Sequence, residues 1–497
     1  MKLTVLLFSL TQLSFGLGCD GIKSLKLPNT TITAAETVAA GAFTQPGPAK
    51  GKQNPAFTRL PAFCRVAATL TPSSDSSIQI EVWMPATGWN TNLQSVGNGA
   101  WAGSIGYPAM ATALGEGYAT ASTDTGHTGN VATFITGHPE KLTDFAYRAV
   151  HEMTVAAKAL IEANYGRPIN KAYWNGCSTG GRQALAEVQR YPADYDGIIA
   201  GAPAYYTTQL QGMQVWTTTV ANKTPDSMVP AAKYALLHDA ALAACDARDG
   251  VKDGVIETPL KCSFDPKVLL CKGADLPTCL TEPQVEAARK TYAGPKDSKG
   301  KSLFPGLEPG SETGWATLSG QRPMALADEV YKFLVFKDAN WNYLTFEPER
   351  DMRLAAKEAG PLMDSIDPNL KPFFDRGGKL LMYHGWADPG IPPRSSVNYY
   401  QSVVDKLGKQ ATENNVRLFM VPGMGHCGGG GGTSTFSMMS AISPWVEQGK
   451  TPESIPASRV RNGQTDRTRP LCAFPKETKY NGIGSTDDAA NFSCKNP

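Results

Sequence analysis

The sequence predicts an α/β fold in which a parallel β-sheet, covered by helices on both faces, is interrupted by an inserted domain. Three observations lead to this prediction. Strand-like and helix-like stretches alternate over residues 78–204, the alternation is lost over residues 205–360, and it returns in the C-terminal part. Such alternation is typical of parallel sheets with crossover helices. We therefore expect a core domain formed by residues 19–204 and 361–497, and a second domain over residues 205–360.

The individual elements follow from hydrophobic periodicity. Residues 78–84 alternate between apolar and polar side chains and stop at Pro85, which is typical of a strand. Residues 144–163 carry apolar side chains at helical spacing, among them Phe145 and Met153. Residues 92–96 lead into a glycine-rich turn. Further strands are predicted over residues 118–122, 172–174, 198–200, 379–383 and 416–421, and a further helix over residues 182–190.

Composition and charge are those of an ordinary globular protein. Hydrophobic residues make up 41% of the 497 residues and charged residues 19%. The formal net charge is +2. A charge this small provides no electrostatic attraction to nucleic acid or to anionic membranes, so we expect neither as a partner.

The N-terminus has the pattern of a cleaved secretion signal. Met1 and Lys2 precede an apolar run over residues 3–10, and small residues follow up to Gly18. We predict that residues 1–18 are a signal peptide; the alternative is a buried N-terminal strand or helix. No later stretch reaches the roughly 18 apolar residues that cross a bilayer. We therefore expect a soluble, secreted, extracellular protein.

Ten cysteines, an even number, agree with an oxidising destination. They include no C-x-x-C pair, which makes a zinc site improbable. Three N-x-S/T sequons are possible glycosylation sites, at Asn29, Asn222 and Asn491. The cysteines are Cys19, Cys64, Cys177, Cys245, Cys262, Cys271, Cys279, Cys427, Cys472 and Cys494.

A candidate nucleophile lies between a predicted strand and a predicted helix. Residues 176–180 fit the pattern G-x-S-x-G around Ser178. A sharp strand-to-helix turn exposes the serine hydroxyl, and small flanking residues let neighbouring backbone approach. The backbone N–H of Thr179 would then point towards a developing oxyanion. We expect a second oxyanion donor from the glycine-rich turn, at Gly99 or Ala100.

Chain order selects the partners of this serine. In proteins with a nucleophile on such a turn, an acid follows the serine and a histidine comes last. Asp388 and His426 each lie just after a predicted C-terminal strand, so both satisfy order and placement. We expect His384 to make a supporting hydrogen bond rather than to act as the base. The other histidines are His127 and His138 in polar loops, His151 in a helix and His238 in the insertion.

A cysteine adjoins each end of this candidate triad. Cys177 immediately precedes Ser178, and Cys427 immediately follows His426. If the hydroxyl and the imidazole are within hydrogen-bonding reach, these neighbours can come within the Cα separation of about 4.4–6.8 Å that a disulfide needs. We predict a Cys177–Cys427 bridge; the alternative is two independent structural cysteines.

These motifs resemble those of the tannase and feruloyl esterase family. Its members carry a cysteine–serine pair at the turn, an aspartate, and a histidine–cysteine pair that is joined to the first cysteine. Residues 176–183, 384–388 and 422–427 match these features. The resemblance implies an α/β-hydrolase core with an inserted lid domain over residues 205–360. It also implies the disulfides Cys19–Cys64, Cys271–Cys279 and Cys472–Cys494.

The family resemblance further implies a structural calcium site in the insertion. Residues 245–255 contain three aspartates and two glycines, and hard oxygen ligands on a turning loop suit calcium. The spacing differs from that of an EF-hand, since Arg248 and Gly250 occupy its third and fifth positions. The alternative is a charged turn closed by a Cys245–Cys262 bridge. The implied ligands are the side chains of Asp246, Asp249 and Asp253 and the carbonyls of Val251 and Val255.

We therefore predict a secreted serine carboxylesterase that acts on esters of phenolic acids. The first choice is a feruloyl esterase releasing hydroxycinnamates from plant cell-wall polysaccharide, with His426 as base and Asp388 as its orienting acid. The nearest alternative is a tannase acting on gallate esters. Two further alternatives are a non-catalytic polyphenol- or carbohydrate-binding protein and a peptidase on the same scaffold.

Overall fold

The computed structural model describes residues 16–47 and 54–497, so residues 1–15 of the predicted signal peptide lie outside the described part. A nine-stranded sheet forms the centre of the molecule. Its strands are β1 (Thr30–Val38), β2 (Phe63–Leu70), β3 (Ile78–Pro85), β4 (Leu93–Val96), β5 (Ala119–Thr123), β6 (Ala172–Cys177), β7 (Gly197–Gly201), β8 (Lys379–Gly385) and β9 (Val416–Val421).

The sheet is parallel through its centre and antiparallel at one edge. The strand order is β1-β2-β3-β5-β4-β6-β7-β8-β9. The pairs from β5 through β4 to β9 are parallel, whereas β1, β2 and β3 pair antiparallel with one another and β3 with β5. The predicted parallel sheet is therefore wrong at this edge. Residues 71–77 join β2 to β3, and this connection is too short for the crossover helix that a parallel pair needs.

Helices surround the sheet and fill the insertion. Before the insertion they are α1 (Gly18–Ile22), α2 (Tyr107–Gly115), α3 (Pro139–Thr143), α4 (Ala149–Tyr165) and α5 (Thr179–Arg190). The helices of the insertion are α6 (Thr207–Ala221), α7 (Tyr234–Cys245), α8 (Glu282–Ala293), α9 (Ala325–Glu329), α10 (Pro348–Glu358) and α11 (Gly360–Met363). After it come α12 (Lys371–Asp375), α13 (Arg394–Leu407), α14 (Lys409–Asn415) and α15 (Met439–Gln448).

The central strands are apolar on both faces because helices cover each of them. Successive side chains of a strand point to opposite faces. Accordingly, Ile198 and Leu380 pack into one core with α4 and α13, whereas Ile199 and Leu381 pack into another with α15. All four side chains are buried. This arrangement confirms the predicted α/β class with two covered faces.

The predicted helix over residues 144–163 has two parts. Asp144–Arg148 forms a π-helical turn, and α4 begins at Ala149. The buried guanidinium of Arg182 donates hydrogen bonds to the carbonyls of Ala146 at 2.6 Å and Phe145 at 3.1 Å. Because a π-turn leaves carbonyls without their ordinary helical partners, this contact satisfies them and holds α5 against the turn.

A second apolar cluster contains most of the buried side chains of the insertion. Leu237, Trp315, Tyr331 and Met352 are among its buried side chains, and Trp101 from the core domain packs with them. The loss of strand–helix alternation in the sequence therefore corresponds to helices joined by long irregular segments.

Two hairpins follow the last core helix, and the sequence analysis did not predict them. Strands β10 (Ser454–Arg461) and β11 (Gln464–Cys472) form the first, and β12 (Glu477–Tyr480) and β13 (Phe492–Lys495) form the second. The Cys472–Cys494 disulfide joins β11 to β13. Short β-hairpins bury little apolar surface alone, so covalent linkage and packing stabilise this part.

Within residues 16–47 and 54–497, none of the helices combines the length and the apolar character that crossing a membrane requires.

Candidate active site

Ser178 lies at the turn between β6 and α5. Its backbone has φ 64° and ψ −120°, a conformation that side-chain-bearing residues rarely adopt. The N–H of Ser178 donates to the carbonyl of Gly201 at the end of β7, at 2.9 Å, and its own carbonyl accepts from Arg182 and Ala204. The neighbouring strand and the following helix therefore hold a strained turn that presents the half-buried hydroxyl.

The glycines of the motif are required by close backbone contacts. A Cβ at Gly176 would lie 2.5 Å from the carbonyl oxygen of Gly180, and one at Gly181 would lie 2.4 Å from that of Gly201. Both distances are shorter than real Cβ contacts allow. The pattern of small residues around Ser178 is thus a packing requirement of the turn.

Asp388 and His426 form a short hydrogen-bonded pair. Nδ1 of His426 donates to Oδ2 of Asp388 at 2.7 Å. The Asp388 carboxylate is fully buried, while the His426 side chain is 36% exposed. A proton on Nδ1 leaves Nε2 unprotonated in the neutral ring, and Nε2 is then able to accept a proton.

His384 supports the aspartate from the other side, which agrees with its predicted supporting role. Its Nε2 lies 3.2 Å from Oδ2 of Asp388 and 3.1 Å from the carbonyl of Ile391. Both neighbours are acceptors, so Nε2 carries the proton. Nδ1 then accepts from the hydroxyl of Ser396 at 2.7 Å. This tautomer places a donor, not a base, beside Asp388.

Four hydrogen bonds keep Asp388 ionised. The N–H groups of Gly390 and Ile391 donate to Oδ1 at 2.8 and 2.9 Å, and the two histidines donate to Oδ2. Burial alone would raise the pKa of Asp388, but the hydrogen bonds from His384 and His426 outweigh it and hold the pKa below its ordinary value. Burial lowers the pKa of His426, whereas the hydrogen bond to Asp388 and its charge raise it above the ordinary value of 6.5.

The structure contains the Cys177–Cys427 disulfide, whose Cα atoms are 6.0 Å apart. Consecutive Cα atoms are about 3.8 Å apart, so the Cα atoms of Ser178 and His426 are separated by at most about 13.6 Å. The bridge thus joins the serine turn to the histidine loop across 250 positions of sequence. The other pairs are Cys19–Cys64, Cys245–Cys262, Cys271–Cys279 and Cys472–Cys494, and the described part has no free cysteine.

We expect removal of this bridge to affect turnover more than substrate binding. In the double variant Cys177→Ala/Cys427→Ala the histidine loop can shift relative to the turn, and a misplacement of about 1 Å costs on the order of 10²-fold in rate. Steady-state kinetics on a methyl ester should therefore show a kcat about 10²-fold lower with little change in KM. Cys271→Ala/Cys279→Ala, which opens a short loop of the insertion, is the matched control. Unchanged kcat in the first variant would make the bridge a stabilising link only.

Ser178 and His426 are not hydrogen-bonded to each other in the described part of the chain. The Ser178 side chain makes no capping hydrogen bond to α5, and the His426 ring bonds to Asp388. Catalytic hydrogen bonds are often long in the absence of substrate and tighten in the complex. The missing hydrogen bond therefore does not argue against a pairing of the Ser178 hydroxyl with Nε2 of His426.

The turn after β4 lies against the start of α5, next to Ser178. The Thr179 hydroxyl donates to the carbonyl of Ala100 at 3.0 Å, and the N–H of Gly180 donates to the carbonyl of Asn98 at 2.8 Å. Ala100 has φ 48°, and a Cβ at Gly99 would meet nothing within 4 Å. The turn is therefore held beside Ser178 with open space at Gly99.

The side chains that fix this turn were not predicted from the sequence. Asn98 and Gln183 exchange two hydrogen bonds, from the Asn98 N–H to Oε1 at 3.1 Å and from Nε2 to Oδ1 of Asn98 at 3.1 Å. Nε2 of His127 lies 2.5 Å from the carbonyl of Trp101. Gln183 lies three positions after the serine motif, and this position could have indicated a role near Ser178. Nothing in the sequence indicated that His127 contacts the turn.

A family model of tannase and feruloyl esterase matches residues 64–495, which include the whole of this site. The chain belongs to this family. It is therefore a carboxylic ester hydrolase, and the resemblance inferred from the serine, aspartate and histidine motifs is confirmed.

The similarity to known proteins covers nearly the whole chain. An uncharacterised esterase of Xanthomonas campestris pv. campestris is 38% identical over 98% of this chain and 92% of its own length. A probable feruloyl esterase B-1 of Aspergillus oryzae is 32% identical over 97% of this chain and 93% of its own length. The crystal structure of feruloyl esterase B from Aspergillus oryzae matches with a TM-score of 0.89 at 32% identity, over 96% of this chain and 99% of that one. This match confirms the α/β-hydrolase core.

The acidic loop that the family resemblance links to calcium lies at the base of the insertion. The Asp246 carboxylate accepts from the N–H groups of Asp253 at 3.1 Å and Gly254 at 2.9 Å, which closes the loop. Asp253 Oδ2 pairs with the guanidinium of Arg469 at 2.8 Å and that of Arg467 at 3.0 Å. Within the described residues, no three acidic, histidine or cysteine side chains are grouped so as to hold a metal ion.

The donor chemistry of this loop nevertheless fits a calcium ion once backbone oxygens are included. One carboxylate oxygen each of Asp249 and Asp253 has no hydrogen-bond partner among the described residues. Val251 and Val255 line the same pocket as these carboxylates. Two carboxylates and two carbonyls are the hard oxygen ligands that calcium prefers.

The three sequons differ in the environment of their asparagines. Asn29 is exposed. The Asn222 amide donates to the carbonyls of Thr218 and Gly320, and the Asn491 amide donates to that of Ser485. The amides of Asn222 and Asn491 are thus engaged in hydrogen bonds within the chain.

Proposed function

We propose that this protein is a serine esterase that hydrolyses hydroxycinnamate esters, with Ser178 as nucleophile. The observation that carries the proposal is the Asp388–His426 pair tied through Cys177–Cys427 to the strained turn of Ser178. Similarity to feruloyl esterase B over almost the entire chain supports hydroxycinnamate as the acyl group of the substrate.

The first half-reaction forms an acyl-enzyme. Nε2 of His426 takes the proton of the Ser178 hydroxyl as its oxygen attacks the ester carbonyl, and the imidazolium then protonates the departing alcohol. Asp388 keeps the proton on Nδ1 and stabilises the imidazolium. Its low pKa suits this role, because the carboxylate remains charged throughout the cycle.

Backbone N–H groups stabilise the tetrahedral intermediate. The N–H of Thr179, at the start of α5, and that of Ala100 or Gly99 have no hydrogen-bond partner within the described residues. Donors that are already in place when the oxyanion forms lower the barrier without reorganisation. In the second half-reaction His426 activates water, which releases the acid and restores Ser178.

The acyl preference is tested by comparing methyl ferulate with methyl gallate. Ferulate has a longer and more apolar body, whereas gallate has three hydroxyl groups that need hydrogen-bond partners. We expect kcat/KM for methyl ferulate to exceed that for methyl gallate by about tenfold or more, since a mismatched polar group costs about 1–3 kcal/mol. A clear preference for gallate would instead assign a tannase.

We also propose that the acidic loop binds a structural calcium ion, held by the carboxylates of Asp246, Asp249 and Asp253 and by the carbonyls of Val251 and Val255. Such a ligand stabilises the folded state by mass action. EDTA should lower the Tm by about 3–6 °C, and added calcium, but not magnesium, should restore it. Asp249→Asn should make the Tm insensitive to EDTA. Asp297→Asn, in another loop of the insertion, is the control and should keep the EDTA-dependent decrease in Tm. An unchanged Tm in EDTA would leave the loop as a charged turn closed by Cys245–Cys262.

We propose that the mature protein is secreted. The charged and apolar start of the sequence, the five disulfides of the described part and the similarity to fungal esterases support extracellular location. N-terminal sequencing of protein recovered from the medium tests this proposal. A mature chain that begins near Cys19 is expected, and one that still begins at Met1 would contradict it.

A further inference from the structure

A cleft beside His426 lies between the core domain and the insertion. It has a volume of about 220 Å³. Its core side includes His426, Trp386 and Pro389, and its other side includes His238 and Thr313 of the insertion. Apolar surfaces and hydrogen-bonding groups thus face each other across the cleft, a combination typical of small-molecule sites.

His238 is held in this cleft by a buried carboxylate. Its Nδ1 donates to Oε2 of Glu312 at 2.9 Å, and the Glu312 side chain is fully buried. The hydroxyl of Tyr292 and the N–H of Gly310 donate to the same carboxylate at 2.7–3.0 Å. The hydrogen bond to Glu312 raises the pKa of His238 above its ordinary value. This pair resembles Asp388–His426, but it comes from the insertion.

The other ring nitrogen of His238 is available to a ligand. The side chain is 22% exposed, and its Nε2 has no hydrogen-bond partner among the described residues. A neutral ring accepts a hydrogen bond at Nε2 and a charged ring donates one. A hydroxyl group can do both, so it pairs with His238 in either protonation state.

The position of the cleft indicates which half of the ester it holds. His426 and its loop line it, whereas Ser178, Thr179 and Ala100 do not. The carbonyl oxygen of the substrate must lie at the N–H groups near Ser178, and the alcohol oxygen must lie within reach of Nε2 of His426. The cleft on the histidine side is therefore on the alcohol side of the ester.

We propose that His238 is a specificity residue for the alcohol half of the ester. Its Nε2 accepts a hydrogen bond from, or donates one to, a hydroxyl group of a sugar-like, hydroxyl-rich alcohol. Thr313 supplies a second hydroxyl on the same wall, and Glu312 positions the ring. This inference rests on the proposed esterase function and concerns the alcohol, whereas the comparison of ferulate with gallate concerns the acid.

The test compares two esters of one acid, methyl ferulate and a feruloyl ester of a pentose, in His238→Ala and His238→Gln. We expect the ratio of kcat/KM for the sugar ester to that for the methyl ester to fall about tenfold in His238→Ala, mainly through a higher KM. His238→Gln should recover part of the ratio, because its amide also pairs with hydroxyls.

His151→Ala is the matched control, since His151 makes a similar pair with Asp194 at 2.6 Å away from the cleft. It should leave the ratio unchanged, and Tm values of all variants show that they are folded. An equal loss on both esters, or no loss on either, would overturn the role of His238. If the wild type hydrolyses neither ferulate ester, the acyl proposal fails, and acetyl esters of the same two alcohols still decide the role of His238.

Discussion

Replacing Ser178 with alanine is expected to lower kcat by about 10⁵-fold or more, the largest effect of any single change in this protein. The variant lacks the hydroxyl that forms the acyl-enzyme in the proposed mechanism, while the Asp388–His426 pair and the Cys177–Cys427 bridge remain. Hydrolysis of methyl ferulate measures the loss, and fluorescence titration with ferulic acid checks that ligand binding is retained.

A second measurement makes this result specific to the nucleophile. A fluorophosphonate should label the wild-type protein once, at Ser178, and should not label Ser178→Ala. Ser440→Ala is the matched control, because Ser440 is an exposed serine on α15 that bonds only to its neighbour Ser437. Retention of more than about 1% of wild-type kcat in Ser178→Ala would contradict the acyl-enzyme mechanism.

Asp388→Asn is expected to have the next largest effect, with kcat lower by about 10⁴-fold. The amide keeps the shape of the carboxylate but loses its charge, so it stabilises neither the imidazolium nor the required tautomer of His426. The N–H groups of Gly390 and Ile391 still donate to one oxygen, and the loop should therefore remain folded.

The pH profile of the same variant gives an independent check. In the wild type Asp388 raises the pKa of His426 above 6.5, and the base must be neutral. Activity should therefore fall as the pH decreases through this raised pKa. Without the carboxylate charge the pKa of His426 decreases, so the acid limb of kcat/KM should move to lower pH.

Asp75→Asn is the control for this prediction, because Asp75 pairs with His138 at 2.6 Å on the surface. It should change neither kcat nor the acid limb. An acid limb that stays in place in Asp388→Asn would show that a group other than His426 titrates in the wild-type profile.

The candidate active site could be predicted from sequence because its signals are local. Close backbone contacts allow only glycine at positions 176 and 181. The sequence around Ser178 therefore shows a recognisable glycine pattern. Asp388 and His426 each follow a strand whose apolar run is evident, and chain order was enough to choose between His384 and His426. The cysteines beside Ser178 and His426 indicated, by their positions in the chain alone, that two distant segments lie together.

Other features depend on partners that the sequence does not bring together. The antiparallel edge strand β1 escaped prediction because it is only partly buried and its periodicity is weak. The side chains that fix the turn after β4 are those of Asn98, Gln183 and His127. Polar side chains of these types are common on any protein surface, so the sequence does not indicate that they meet.

The sequence alone determined the α/β class and the family, and it predicted the candidate triad Ser178, Asp388 and His426 with the cysteines beside Ser178 and His426. Only the tertiary structure decided how these residues are supported and what faces them. His238 and Glu312 lie 74 positions apart in a segment without regular periodicity, and their pairing opposite His426 results from packing of the insertion on the core. Local patterns encode turns and strands, whereas contacts between separate segments exist only after the apolar cores of both domains have formed.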